Sequence, residues 1–373
     1  ALFAGRPGDR FGARNCLRAI AALYVVSALG CLFAPSLAVL VAARVLGGIA
    51  IGASSVLAPI YLAEIAPAHR RGMLVGAFQF NIVLGILVAY LSNYLVGLAA
   101  LGADEWRWKF GVAALPALLL FGLLFVIPNS PRWLAVKGRT KEAAQVLREI
   151  GAADVAGELA SYARGHMAAG SKLSWRRYRK PMLLAFAIAA FNQLSGINAI
   201  LYYANDIFAA AGFGKMSADL QSVAIGATNL VFTLLALTVI DRLGRKTLLM
   251  VGSVGMVVAL AATAWIQWSG LHRDLLLWAL VLFIAAFAFS QGAVIWVYIS
   301  EIFPTEVRAR GQSLGASTHW LMDAIVAGVF PAMAARSKGL PFILFAVAML
   351  VQLFVVARYF VETKGARLED IDV

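Results

Sequence analysis

Several hydrogen-bonding and aromatic side chains fall inside stretches that are otherwise apolar: Gln79, Asn192, Gln193, Asn198, Asn229, Trp296, His319 and Trp320. Amides supply directional donors and acceptors, and indole faces receive C–H groups, so this set suits non-covalent capture of a polar, ring-shaped ligand. Polar groups on apolar helices face a cavity or a partner helix, and bonding between helices is the plain alternative. Gln193 and Asn198 are five residues apart and do not share a helical stripe. They converge only if the helix is irregular between them, which Gly196 permits. His319 and Asp323 are four apart and share a face. Such a pair either changes protonation during function or stays a neutral hydrogen-bonded pair.

Covalent chemistry is not indicated. The chain has no His-Glu-x-x-His and no Gly-x-Ser-x-Gly, and its four histidines are scattered. Gly214-Lys215 is not a phosphate loop, because Ala209 and Met216 occupy the positions that need Gly and Ser or Thr. We therefore expect neither an enzyme, nor a resident metal or cofactor, nor an ATP-driven pump.

The elements that must hold these side chains are legible in the charge pattern. Hydrophobic residues make up 62% of the 373 and charged residues 14%, against roughly half and a quarter in soluble domains. Charge-free runs at 19–43, 45–63, 73–103, 110–131, 182–205, 220–240, 247–272, 275–300 and 339–357 each reach the roughly 20 residues that cross a bilayer core as a helix. We read ten spanning helices, at 19–34, 37–63, 72–96, 108–128, 181–204, 219–240, 247–268, 275–299, 312–335 and 340–361. Cys16 and Cys31, on or near one helix and roughly 22 Å apart, form no disulfide framework, and no cleavable signal is visible.

The net charge of +13 raises a nucleic-acid reading that its distribution opposes. With a cytoplasmic start near Arg18, only Arg107, Lys109, Lys215, Arg273, Arg336 and Lys338 lie at or near outside loops. Arg44 lies inside a span, and every other Lys or Arg faces the cytoplasm. This is the positive-inside bias of a membrane protein, and the basic charge meets anionic lipid rather than nucleic acid.

Residues 129–180 are different, with eleven Lys+Arg and four acids. Thr140 is placed to cap a short amphipathic helix over 141–150, with Gly151 beyond its end. This cytoplasmic linker divides the chain into an N-terminal bundle, 1–128, and a C-terminal six-helix bundle, 181–362, with a short cytoplasmic tail at 363–373. The halves echo each other. Asp9-Arg10-Phe11-Gly12-Ala13-Arg14 recurs as Asp241-Arg242-Leu243-Gly244-Arg245-Lys246. Ala63-Glu64-Ile65-Ala66-Pro67 with Arg71-Gly72 recurs as Ser300-Glu301-Ile302-Phe303-Pro304 with Arg310-Gly311. Helices repeating in the same order imply parallel halves related by an axis along the membrane normal. The second half has two spans before its Asp-Arg-x-Gly and the first has eight residues, so the comparison predicts twelve spans, two of them missing here.

With these pieces in register, the chain resembles the sugar porters of the major facilitator superfamily, from Gly5 to Gly365. The resemblance rests on Gly5-x-x-x-Asp9-Arg10-x-Gly12-x-Arg14, Arg44-x-x-Gly47-Gly48, Tyr61-x-Ala63-Glu64-x-Ala66-Pro67, Ser130-Pro131-Arg132-Trp133, Gln193-Leu194-Ser195-Gly196-Ile197-Asn198 with Tyr202-Tyr203, and Val361-Glu362-Thr363-Lys364-Gly365. It implies an all-α membrane fold of two helix bundles rocking about a midplane site, and transport without chemical change. It also implies that Gln79, Gln193, Asn198, Asn229, Gly292 and Trp296 contact a monosaccharide, while Tyr202 and Tyr203 form an outer gate. Asn192 and Ala293 depart from the family's Gln and Pro, and His319 and Asp323 stand where amides are commoner.

Two further expectations follow. Asp9, Arg10, Arg14, Glu64 and Arg71, with Asp241, Arg242, Arg245, Glu301 and Arg308, would form a cytoplasmic latch, Glu64 pairing with Arg14 and Glu301 with Arg245. Ordinary interfacial charge is the alternative. Arg44, His319 and Asp323 are the coupling candidates. Around Gln79 and Trp106-Arg107-Trp108 the chain looks most like bacterial proton symporters of hexoses and pentoses. We expect a monomer in the bacterial cytoplasmic membrane with a cytoplasmic C-terminus. A facilitative uniporter is the runner-up, and a sugar receptor is disfavoured by the short tail.

Overall fold

The computed structural model describes residues 5–66, 71–152, 154–168, 173–304 and 307–364. Within these, the side chains of 5–6, 63, 71–78, 163–168, 216, 241, 308 and 309 are outside the description. All regular structure among the described residues is helical, and ten segments are long and apolar enough to cross a membrane: Ala13–Leu32, Leu37–Leu62, Gln79–Leu98, Gly102–Leu123, Trp175–Tyr202, Ser217–Ile240, Arg245–Ser269, Arg273–Glu301, Arg310–Arg336 and Leu340–Tyr359. These segments expose large apolar side chains such as Val26, Leu119, Phe186, Val258, Trp278 and Phe354, as a lipid-facing surface requires.

In chain order the helices are α1 Gly5–Phe11, α2 Ala13–Leu32, α3 Leu37–Ile65, α4 Arg71–Leu98, α5 Glu105–Gly111, α6 Ala114–Leu123, α7 Pro131–Val136, α8 Thr140–Glu149, α9 Val155–Ala168, α10 Trp175–Leu194, α11 Ile197–Tyr202, α12 Ala204–Ala210, α13 Lys215–Leu243, α14 Arg245–Ser269, α15 Leu276–Phe287, α16 Ala293–Glu301, α17 Arg308–Arg336 and α18 Leu340–Tyr359.

The chain forms two compact units, and their boundaries differ from those expected. The first comprises Ala1–Gln79 and Leu95–Lys172, and the second comprises Phe80–Tyr94 and Leu173–Val373. The linker helices α7 to α9 therefore belong to the first unit. The stretch 80–94 belongs to the second because Ile86 and Tyr90 pack on its core and the Tyr90 hydroxyl donates to the Leu201 carbonyl.

In the first unit, Ala21, Ala50 and Leu57 lie at the α2–α3 seam, where small side chains let membrane helices approach closely. Arg14 Nη1 donates to Ile127 O at 3.0 Å and Arg18 Nε to Leu124 O at 2.9 Å. Both satisfy carbonyls left open beyond α6. Helix α8 is present, but Thr140 is its first residue and not its cap. Arg139 precedes it and pairs with Glu142 at 2.6 Å.

In the second unit, one apolar cluster gathers Ile197, Phe208, Met256, Phe283, Phe345 and Met349, and another gathers Leu184, Leu248, Val294, Tyr298 and Phe303. The fifth span is broken twice. Gly196 takes φ +82 between α10 and α11, a backbone region that side chains with a Cβ rarely enter. Ser195 stabilises the break, its hydroxyl donating to Asn192 O at 2.6 Å and accepting Ile197 N–H at 3.3 Å. A second break falls at Tyr203. Ala293 leaves the eighth span continuous, but with a π-helical turn over Ala288–Gly292.

A Cβ at Gly196 would collide with the Phe345 ring. Gly196→Ala should therefore lower stability by roughly 2–4 kcal/mol, combining left-handed strain with the clash. Thermal unfolding of the detergent-solubilised protein measures this, and an unchanged midpoint would mean the break is not held as described.

Candidate binding site and cytoplasmic charge clusters

The break at Gly196 decides what Gln193 and Asn198 can reach. Gln193 ends α10, and its Nε2 lies 3.1 Å from Nε2 and 3.3 Å from Nδ1 of His319 on α17. The Asn198 amide, on α11, bears on the Asp323 carboxyl one turn along α17. Five residues across a break thus match the four-residue repeat of an intact helix. His319 and Asp323 do share a face, but no hydrogen bond joins them among the described residues. Each is engaged by a different residue of the fifth span, so the expected pair is two separate contacts.

Aromatic rings close round this cluster. The His319 ring lies 5.2 Å from that of Trp296 and 5.3 Å, edge-on, from that of Trp320. Gln193 is 1% exposed and Asn192 2%, and Gln193 Nε2 also donates to Asn192 Oδ1 at 3.3 Å. Gln193 Oε1 and Asp323 Oδ1 are buried without a hydrogen-bond partner. Open acceptors of this kind in an apolar interior are unfavourable unless a ligand supplies donors. Asn229, on α13, and Gly292, closing the π-turn, are both buried. Gln79 belongs to the first unit, on α4, and its Oε1 is likewise buried without a partner.

The adjacent tyrosines diverge. Tyr202 is exposed and its hydroxyl donates to Asp323 Oδ2 at 3.2 Å. Tyr203 stacks on Phe330 with centroids 5.1 Å apart, and its hydroxyl reaches Ala327 O at 3.4 Å. Arg44 is exposed on α3 and lies over the Phe110 ring, 5.2 Å from its centroid.

At the Asp-Arg-x-Gly loops the two repeats use the same glycine differently. Gly12 and Gly244 both take positive φ, +84 and +87. A Cβ on Gly12 would press on the Trp133 ring at 3.1 Å, whereas one on Gly244 would press on the Glu362 carboxylate. In the second unit Arg245 pairs with Glu301 at 2.8 Å, and Thr363 Oγ1 donates to Glu301 at 2.6 Å. Glu362 accepts the N–H groups of Arg245 and Lys246 at 2.8 and 3.0 Å, an acidic cap on the α14 N-terminus. Lys364 Nζ donates to the Arg242 carbonyl at 2.5 Å.

The first unit departs from this pattern. Arg14 is engaged by Ile127 O rather than Glu64, because the unpaired carbonyls after α6 lie within its reach. Trp133 Nε1 donates to the Asp9 carbonyl at 3.1 Å, and the exposed Arg10 lies over Phe11. Burial pushes the Glu64 carboxyl above the usual glutamate range. The Ser130 hydroxyl and Arg132 pull it down, and Asp9 adds to the rise. The side chains of Arg71, Asp241 and Arg308 lie outside the described residues.

Sequence reasoning missed several polar groups. Asp219 is buried against Asn205, which also accepts from the Ser222 hydroxyl. Ser253, Gln291 and Gln352 form a buried chain. The signal for the latter three, polar side chains inside charge-free runs, was the one that marked Gln193.

Spans broken beside buried, open amides, with motif-matched charge clusters at span ends, define a polytopic membrane transporter rather than an enzyme. The sugar (and other) transporter family matches residues 1–373, and the chain belongs to it, as a sugar porter of the major facilitator superfamily. It is 31% identical to the D-xylose-proton symporter of Escherichia coli K12 over 99% of this chain and 82% of that one. It is 34% identical to the D-xylose transporter of Levilactobacillus brevis, covering 100% and 83%. The inward-open, partially occluded xylose transporter XylE of Escherichia coli superposes with a TM-score of 0.88 at 30% identity, covering 98% of this chain and 85% of that one.

The two repeats should respond unequally. Glu301→Gln removes the carboxylate that pairs with the buried Arg245 guanidinium and should cost about 3 kcal/mol. Glu64→Gln removes a carboxylate that burial disfavours, so it should be neutral or slightly stabilising at pH 7–8. The sign follows from the raised pKa: Glu64 favours the folded state when protonated, and that contribution fades as pH rises through its folded value. Melting curves from pH 5 to 8 test both, and equal losses at the two sites would contradict the assignment.

Proposed function

We propose that this chain moves a monosaccharide, a hexose or a pentose, across the bacterial cytoplasmic membrane in symport with protons. The carrying observation is the pair of buried, unpartnered acceptors, Gln193 Oε1 and Asp323 Oδ1, beside the Trp296, His319 and Trp320 rings. Sugar hydroxyls supply the missing donors, and sugar C–H groups lie on indole faces. Asn192, Asn198, Asn229 and Gly292 complete the binding set of the second unit in this reading, and Tyr202 and Tyr203 gate it; Gln79 is the candidate sugar contact of the first unit. The glucose transporter of Staphylococcus epidermidis and the arabinose-proton symporter of Bacillus subtilis, each 34% identical, support a monosaccharide without choosing among sugars.

Asp323 is the coupling residue we favour inside the described unit. Its carboxyl touches both the gate, through Tyr202, and the site, through Asn198. Arg44 is a second coupling candidate. The charge clusters at Arg245–Glu301 and around Glu64 act as the cytoplasmic latch. The protein works as a monomer in lipid, needs no cofactor besides the coupling proton, and has its C-terminus in the cytoplasm.

Reconstitution in liposomes tests this, with uptake of labelled xylose, glucose, galactose and arabinose with and without an inward proton gradient. Accumulation above equilibrium that an ionophore abolishes is the expected result. Equilibration indifferent to the gradient would make the protein a uniporter, and no uptake of any sugar would overturn the reading. His319→Gln should weaken apparent affinity about tenfold, the equivalent of about 1.4 kcal/mol. Asp323→Asn should keep downhill exchange while flattening its pH dependence. An unaltered pH profile in Asp323→Asn would remove Asp323 from coupling.

A further inference from the structure

Gln291, Gln352 and Ser253 are 0%, 1% and 0% exposed, and nothing above assigns them a role. They form one chain of hydrogen bonds. Gln291 Nε2 donates to Gln352 Oε1. Gln352 Nε2 donates to Ser253 Oγ at 2.9 Å, and Ser253 Oγ donates to Leu249 O at 2.7 Å. Gln291 Nε2 also meets Met349 Sδ at 3.6 Å. The chain links α14, α18 and the π-turn at Ala288–Gly292.

A π-turn carries one extra residue per turn. At 3.6 residues per turn, everything after it is rotated by about 100° relative to an uninterrupted α-helix. Trp296 lies four residues beyond this turn and faces His319. Were the turn to close into α-helix, the Trp296 indole would swing off the site by that angle. Such turns are rare and need support. A proline at position 293 would prevent α-helical closure by removing an N–H. Ala293 imposes no such bar, and its N–H reaches Ser290 O.

We propose that the Gln291–Gln352–Ser253 chain holds the π-turn open from behind and thereby positions Trp296. The close approach of α14 supports this. A Cβ on Gly252 would overlap Ser290 Oγ and lie 3.0 Å from Ala286 O, so only glycine lets α14 brace the turn. Ser290 Oγ in turn donates to Ala286 O at 2.6 Å, which fixes its rotamer against Gly252. Gln291 and Gln352 are positioning residues that act through Trp296. The inference therefore rests on reading Trp296 as part of the sugar site.

The test combines affinity with structure. Gln291→Leu should weaken D-xylose binding about tenfold while leaving the unfolding midpoint near that of the parent. Adding Ala293→Pro should restore binding, because proline reopens the turn without the amide chain. Gln291→Leu should also have little effect in a Trp296→Ala background, since both changes act through one side chain. Additive losses, or no rescue by proline, would overturn the proposal. A structure of the Gln291→Leu protein reads the turn without any sugar. An intact π-turn there would overturn the proposal, and a closed one would support it even if the parent bound no D-xylose, which would count against the sugar reading alone.

Discussion

A hydrocarbon solvent offers no hydrogen bonds, and the second unit is organised by that fact. Every amide, hydroxyl or carbonyl placed at membrane depth has to find a partner inside the protein or be kept open for a ligand. Most are satisfied locally. Ser253, Thr228 and Thr263 return their hydroxyls to carbonyls four residues back. Some remain open. Gln193 Oε1 and Gln291 Oε1 lie beside the broken fifth span and the π-turn of the eighth, while Gln221 Oε1, Thr233 Oγ1, Ser317 Oγ and Asp323 Oδ1 lie on the unbroken helices α13 and α17. Irregular backbone and open polar groups are each tolerated only where protein surrounds them.

That solvent also explains what the sequence made legible. Charge-free runs located the spans because charge is excluded from them, and Gly196 between Gln193 and Asn198 marked the break because a positive φ leaves a residue-type signature. The π-turn at Ala288–Gly292 leaves none: alanine, phenylalanine, serine and glutamine all occur in ordinary α-helices, and the close approach of Gly252 to Ser290 shows only in the coordinates. The pairing of Arg14 was equally hidden. The Ile127 carbonyl beyond α6 takes the guanidinium in place of Glu64, and only coordinates decide which acceptor lies within reach. The unit boundary at Gln79–Phe80 could not be read because α4 is one uninterrupted helix, and only the packing of Ile86 and Tyr90 records where its second part belongs.

The two Asp-Arg-x-Gly loops illustrate how a duplicated motif diverges. Both keep a glycine at positive φ, so both turns survive. What covers them differs: an indole from the linker in one case, a carboxylate from beyond α18 in the other. The second is a charged assembly in which Arg245, Glu301, Glu362 and Thr363 satisfy one another. The first relies on carbonyl groups and a partly buried acid. Forces that separate charges would be felt mainly at the second loop.

The acidic cap on α14 is built from opposite ends of a long stretch of chain: Glu362 binds the backbone of Arg245, 117 residues earlier. The Arg245 guanidinium instead pairs with Glu301, only 56 residues later. Ribosomes add about 5–20 residues per second, so the partner of the side chain is made several seconds before the partner of the backbone. The order in which the ion pair and the helix cap can form is thus set by the positions of Glu301 and Glu362 in the chain.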